Sequence, residues 1–172
     1  SVEILDHSKI QERNGIVYKI NSENPFTGKV LEKYSNGQKV LESTYKDGKR
    51  NGKFIGWHKN GQKAAIGYYK NGKSDGKYIE WYENGQKRKE GYFKNGIFNG
   101  KSLTWYDNGQ KKSEENYKEN KKYRKFLTWY PNGQINTEAN YKNDKLHGKK
   151  IYWLDTGLKT SELNYINDTL EK

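Results

Sequence analysis

Residues 81–96, WYENGQKRKEGYFKNG, decide how this chain is read. Two Asn-Gly pairs, Asn84-Gly85 and Asn95-Gly96, have Trp81, Tyr82, Tyr92 and Phe93 beside them, and nearly everything between is lysine, arginine or glutamate. Such a segment is either a hairpin with exposed faces or a polar chain that stays unfolded.

Working outward, the Asn-Gly pair recurs every 24 residues as Asn36-Gly37, Asn60-Gly61, Asn84-Gly85, Asn108-Gly109 and Asn132-Gly133, and Thr156-Gly157 continues the series. All five tryptophans, Trp57, Trp81, Trp105, Trp129 and Trp153, fall in one phase of that period. Leu31, Ile55, Ile79, Leu103, Leu127 and Ile151 form an aliphatic column. Tyr45, Tyr69, Phe93, Tyr117, Tyr141 and Tyr165 form an aromatic one, and Lys29, Lys53, Lys77, Lys101, Lys125 and Lys149 a third. A fixed period of this length marks a repeat array, in which each unit buries its apolar side chains against its neighbours. The expected organisation is an N-terminal cap over 1–27, with one or two strands, and six repeats over 28–51, 52–75, 76–99, 100–123, 124–147 and 148–172. Residues 15–20 are the expected strand of the cap.

Composition sets bounds but does not choose. A mean hydropathy of -1.31 and a net charge of +12 favour disorder, while five Trp and fifteen Tyr favour a folded chain. No Cys is present, so disulfides and thiolate metal sites are excluded. No apolar run approaches the ~18 residues of a membrane helix. The absence of Met leads us to expect a trimmed N-terminus, through Met removal or loss of a targeting segment; the chain is then cytoplasmic or exported, and not transmembrane.

Turn type decides which columns share a face. A two-residue turn at Asn84-Gly85 places Ile79 and Trp81 away from Phe93; a three-residue loop, a type I turn closed by left-handed glycine, brings them together. The fifth unit reads Tyr130-Pro131-Asn132-Gly133, and Pro suits the first central position of a type I turn. The three-residue reading is therefore preferred at Gly37, Gly61, Gly85, Gly109, Gly133 and Gly157. The second corner, YFKNG, is expected to have the same form, with Asn120, Asp144 or Asp168 taking the left-handed slot where Gly is lost. On this reading the fold is all-β, a single-layer antiparallel meander of six 24-residue hairpin repeats, about twelve strands long. One face would carry Ile/Leu, Trp and Tyr/Phe with Ala65, Gly67, Gly91 and Ala139. The other would carry Tyr82, Tyr106, Tyr130, Glu90, Glu114, Glu138 and Glu162 among lysines.

PFTGK at 25–29, NGKSDGKYIEWYENGQ at 71–86 and IFNGKSLTWYDNGQ at 97–110 resemble the MORN repeat variant, found in bacterial proteins labelled as YwqK-like antitoxin components. The resemblance runs from 25 to about 170 and departs at Tyr123-Arg124 and at Trp153-Leu154-Asp155-Thr156. It implies a curved, elongated sheet used for contact with other proteins, and an antitoxin or immunity-type role as one form of that.

Chemistry is sparsely signalled. His7, His58 and His147 have no spacing suited to zinc or to a nucleophile and its base, and His58 stands in the column of Tyr34, Tyr82, Tyr106 and Tyr130. The glutamate column reads as a solvated charge ladder between lysines. No enzyme activity, cofactor or metal is expected. The candidate partner-binding residues are Trp57, Trp81, Trp105, Trp129, Tyr69, Phe93, Tyr117, Lys53, Lys77 and Lys101. The aromatics are either simply the core of a thin sheet or a docking strip for a protein partner, an acidic one above all. The lysines either guard strand edges or attract that partner. Anionic lipid is the alternative ligand, and nucleic acid comes third because no recognised motif accompanies the basic residues.

Overall fold

The Asn-Gly corners fold as their chemistry requires. In the computed structural model, which describes residues 2–171, Gly37, Gly61, Gly85, Gly109, Gly133 and Gly157 all adopt φ between 84° and 86°. Only glycine takes that left-handed conformation without strain. At the fourth corner the Gly109 N–H donates to the Tyr106 carbonyl at 3.0 Å, and the Tyr106 N–H donates to the Gln110 carbonyl at 2.8 Å. This is the three-residue loop, and Pro131 occupies its first central position in the fifth repeat.

The second corner differs from expectation. Asp47-Gly48, Asn71-Gly72 and Asn95-Gly96 hold both central residues at positive φ. Their flanking residues pair directly, Lys46 with Lys49 and Lys70 with Lys73. These are two-residue type I′ turns, whose twist matches that of the strands they join. Asn120, Asp144 and Asp168 fill the second slot where glycine is absent, at φ 65°, 68° and 69°.

The larger correction concerns faces. In the hairpin of Gly100–Trp105 and Lys111–Lys118, Trp105 pairs with Lys111 but Thr104 pairs with Ser113, so Lys112 is an extra residue. The same register shift follows Glu32, Gly56, Thr128 and Tyr152. One added residue reverses the facing of everything beyond it in the strand. The aliphatic and tryptophan columns therefore share a face with glutamate and lysine, while Tyr69, Phe93, Tyr117 and their column lie on the opposite face. The small residues Gly67, Gly91 and Ala139 accompany the tyrosines and not the tryptophans.

The chain packs as two compact units, one through Gly85 and one from Gln86. In the first, Ile4–Asp6 runs parallel to Gly28–Lys33, and Ile10–Arg13 with Ile16–Lys19 forms a separate hairpin. An antiparallel meander continues through Lys39–Lys46, Lys49–Trp57, Lys63–Lys70 and Gly76–Trp81. Its apolar centre is Val17, Phe26 and Val30, with Leu5, Ile10 and Tyr45 packed on them. The second unit is a meander of Lys87–Lys94, Gly100–Trp105, Lys111–Lys118, Arg124–Trp129, Ile135–Lys142, Lys145–Trp153 and Lys159–Ile166.

With one layer of sheet, the tyrosine face of the second unit makes its core from a row of rings. Phe93, Phe98, Tyr117, Phe126 and Tyr141 follow one another at centroid distances of 4.8, 5.2, 6.1 and 5.1 Å, mostly edge to face. Each such contact contributes ~0.5–1.5 kcal/mol beyond area burial. Beneath the row, Gly91, Ser102, Ser113 and Ala139 are buried, because small residues let the rings lie against the backbone.

Within each unit, repeats are stitched at the second, fourth and fifth three-residue corners, whereas at the first the Asn36 amide donates to Gln38 Oε1 of its own loop. The Tyr106 and Tyr130 hydroxyls each donate to the carbonyl of the next repeat's tryptophan, Trp129 and Trp153, at 2.9 Å. His58 does the same work in the first unit, its Nε2 lying 2.9 Å from the Trp81 carbonyl. The Asn60, Asn108 and Asn132 amides donate to the carbonyls of Glu83, Pro131 and Asp155, 23 residues on. At the sixth corner the equivalent residues are Leu154, Thr156 and Leu158, and both leucines are exposed.

Candidate functional site

The tryptophan face is built on a row of directly opposed residues. In the second unit it reads Glu90, Leu103, Glu114, Leu127, Glu138, Ile151, Glu162, an alternation of acid and aliphatic. Each glutamate is held by lysine. Lys101 and Lys111 reach Glu114 at 2.6 and 3.1 Å, Lys125 reaches Glu138 at 2.8 Å, and Lys149 reaches Glu162 at 2.6 Å. The hydrogen bonds from Lys101 and then Lys111 lower the Glu114 carboxyl below its ordinary range. The lysine column is therefore largely neutralised within the sheet.

The same lysines shield the indoles. Lys39, Lys87 and Lys111, each bound to a glutamate three residues on, place their ammonium groups 5.2, 5.7 and 5.0 Å from the ring centroids of Trp57, Trp105 and Trp129. The tryptophans are half-buried.

One place breaks the pattern. In the first unit the row reads Leu31, Glu42, Ile55, Ile66, Ile79, so Ile66 stands where a glutamate is due. Three isoleucines follow one another without an intervening charge. Lys53 and Lys63, which would hold that glutamate, have no carboxylate partner among the described residues. Without an anchored lysine, no ammonium lies over the Trp81 ring among the described residues. Tyr68, opposite Lys53, is 43% exposed. Ile55, Ile66, Ile79, Trp57, Trp81 and Tyr68 thus form an apolar patch with two unpaired cations beside it.

Of the residues expected to bind a partner, Trp57, Trp81, Lys53 and Lys77 lie on this face of the first unit. Trp105, Trp129 and Lys101 lie on the corresponding face of the second. Tyr69 belongs to the opposite face of the first unit, and Phe93 and Tyr117 to the ring row of the second. Ile66 and Tyr68 were not foreseen; Ile66 was visible as the one departure from a column of glutamates, whereas Tyr68 shares its column with Tyr92 and carried no such signal. The glutamates are engaged by lysine, and among the described residues no group of three or more His, Asp or Glu is arranged to hold a metal ion. No helix among the described residues is long and apolar enough to cross a membrane.

A family model for the MORN repeat variant matches residues 26–47, 50–71, 74–95, 98–119 and 125–143. The match skips Tyr123-Arg124 and stops short of the sixth corner, the two places where the sequence leaves the motif. A search of curated proteins found no match to the chain. Repeats of this kind are generally scaffolds that bind proteins or membranes, on an all-β fold that is itself non-catalytic. With five matched repeats covering more than half of its length, the chain belongs to the MORN repeat variant family.

Proposed function

We propose that this protein is a non-enzymatic scaffold that binds an acidic segment of a protein partner on the tryptophan face of its first unit. The observation that supports this reading is the replacement of a row glutamate by Ile66. That one change leaves Lys53 and Lys63 without a carboxylate partner among the described residues, beside Ile55, Ile79, Trp57, Trp81 and an exposed Tyr68. Aromatic and aliphatic anchors beside unpaired cations suit a ligand that presents carboxylates next to apolar side chains. A free lysine gains more from such a ligand than one already held by glutamate.

The discriminating variant is Ile66→Glu. It restores the arrangement seen at Glu114, so the fold is retained while the patch acquires a charge and both lysines are occupied. Capture of the partner from the native source should be lost in Ile66→Glu and in Trp81→Ala, and retained in Trp129→Ala. Capture unchanged in folded Ile66→Glu removes the patch from the account. An antitoxin or immunity-type role is one form of this function and has the support of resemblance alone. The net charge of +12 favours anionic lipid as the second ligand. Sedimentation with acidic vesicles that disappears as salt rises, with no capture of protein, would establish that alternative.

A further inference from the structure

On the opposite face of the first unit, Arg50 stands at the repeat position that Phe26 and Phe98 fill with aromatic rings. Its Nε donates to the Tyr45 hydroxyl and its Nη1 to the Tyr69 hydroxyl, each at 3.4 Å, and its Cζ lies 5.3 Å from the Tyr69 ring centroid. Among the described residues no carboxylate pairs with it. Since both phenol oxygens accept from Arg50, their own protons remain to be donated, and among the described residues neither has an acceptor. All three side chains line a cavity of about 610 Å³ that Lys49, Lys73 and Glu12 also line, three cations against one carboxylate.

The second unit shows which group is missing. There the Tyr117 hydroxyl donates to Glu115 Oε2 at 2.7 Å, and both residues line a cavity of about 310 Å³ with Lys89. The position of Glu115 is held in the first unit by Ser43 and Gly67, two residues before Tyr45 and Tyr69. The Ser43 Oγ is buried and has no hydrogen-bond partner among the described residues. The first unit therefore keeps the donors of this arrangement, with arginine added, and lacks its acceptor.

We propose that the Arg50 cavity is a carboxylate-binding site. The ligand's carboxylate accepts from the guanidinium and from the Tyr45 and Tyr69 hydroxyls, taking the part that Glu115 plays for Tyr117. A planar guanidinium matches a carboxylate in two parallel hydrogen bonds, which an ammonium cannot reproduce. The carboxylate comes either from a small organic acid or from an Asp or Glu side chain of an acidic peptide, and a cavity of this size admits both. The site lies away from the tryptophan face and does not depend on the reading of that face.

The test is a titration of the isotope-labelled full chain, following the Arg50 Nε–H resonance and the Tyr45 and Tyr69 rings. The probes are acetate, succinate and a glutamate-rich peptide, with sodium chloride at matched ionic strength as the blank. Carboxylates should give a saturable shift at Arg50 that chloride does not give, and Arg50→Lys should weaken binding by about tenfold or more. Tighter binding of succinate identifies a free acid as the ligand, and tighter binding of the peptide identifies an acidic segment. A shift that fails to saturate, or that chloride reproduces, overturns the proposal, as does wild-type affinity in a folded Arg50→Lys. If Arg50→Lys does not fold, the wild-type titration against chloride decides alone.

Discussion

Replacing Gly91 by alanine tests whether the ring row is the core of the second unit. Gly91 has no positive φ, so alanine is free to adopt its backbone, and loss of glycine's freedom in the unfolded chain would stabilise the fold by ~0.4–1 kcal/mol. Against this, a Cβ built at Gly91 lies 2.4 Å from Phe98 Cζ and 3.1 Å from Cε2. Phe98 has little room to retreat, because Phe93 stands 4.8 Å from it on one side and Tyr117 5.2 Å on the other. Overpacking of this kind costs ~1–3 kcal/mol, and loosening two edge-to-face contacts a further ~1–2 kcal/mol. After the entropic gain is subtracted, Gly91→Ala should destabilise by about 2–3 kcal/mol. Urea denaturation followed by near-ultraviolet dichroism measures the loss, and amide exchange in Lys87–Lys94 locates it. Phe98→Leu should rescue the variant, since leucine stands at the equivalent position, Leu146, where Ala139 replaces the glycine. Stability of Gly91→Ala equal to wild type, or no coupling between the two substitutions, would refute the packing argument.

Three further outcomes follow from the geometry. Arg124 holds φ 65° at the position where Gly52, Gly76, Gly100 and Gly148 hold φ between 96° and 114°, so Arg124→Gly should raise stability by ~1 kcal/mol in the same denaturation assay. Tyr130→Phe removes the hydrogen bond to the Trp153 carbonyl and should cost ~0.5–1.5 kcal/mol, with faster amide exchange at the sixth corner and little change at the fourth. The Glu162 carboxyl is pushed down to about 2 from an ordinary 4.5 by Lys149 and then Lys159. Its contribution to stability is thus complete above about pH 4.5 and is lost as pH falls through about 2; a carboxyl carbon titration should show this midpoint, moving upward in Lys149→Gln.

The all-β hairpin architecture was legible because it rests on turn residues whose conformational demands are strong. Asn-Gly repeated at a constant interval and Pro131 in the fifth corner were sufficient to identify the three-residue loop. The facing of the columns was not legible. The extra residue is Val40, Ala64, Lys112, Asn136 or Thr160, and such a varied set, with no glycine in it, looks like any regular strand position. One unmarked residue per hairpin leaves the period intact while moving every tryptophan to the other side. The ring row was obscured for another reason. Its filling rings come from Phe98 in one repeat and Phe126 in another, and in the first unit Phe54 packs on Tyr69 from the Phe126 position, so neither the column containing Phe98 nor the column containing Phe54 and Phe126 is uniformly aromatic. Where Phe98 fills the space, Ser102 makes room; where Phe126 fills it, Lys122 stands at the other position. The patch around Ile66 carried a signal that a search for uniformity passes over, namely the one member of a column with the wrong chemistry.

The corner stitching also bears on how the molecule could be lengthened by design. At the second, fourth and fifth corners a hydroxyl or imidazole and an amide reach carbonyls of the following module, so a copy of the fourth or fifth module spliced between them would find its attachment points ready. The sixth corner offers Leu154, Thr156 and Leu158 instead. A module appended beyond it would slide on bare aliphatic surface until those three were rewritten as Tyr, Asn and Gln.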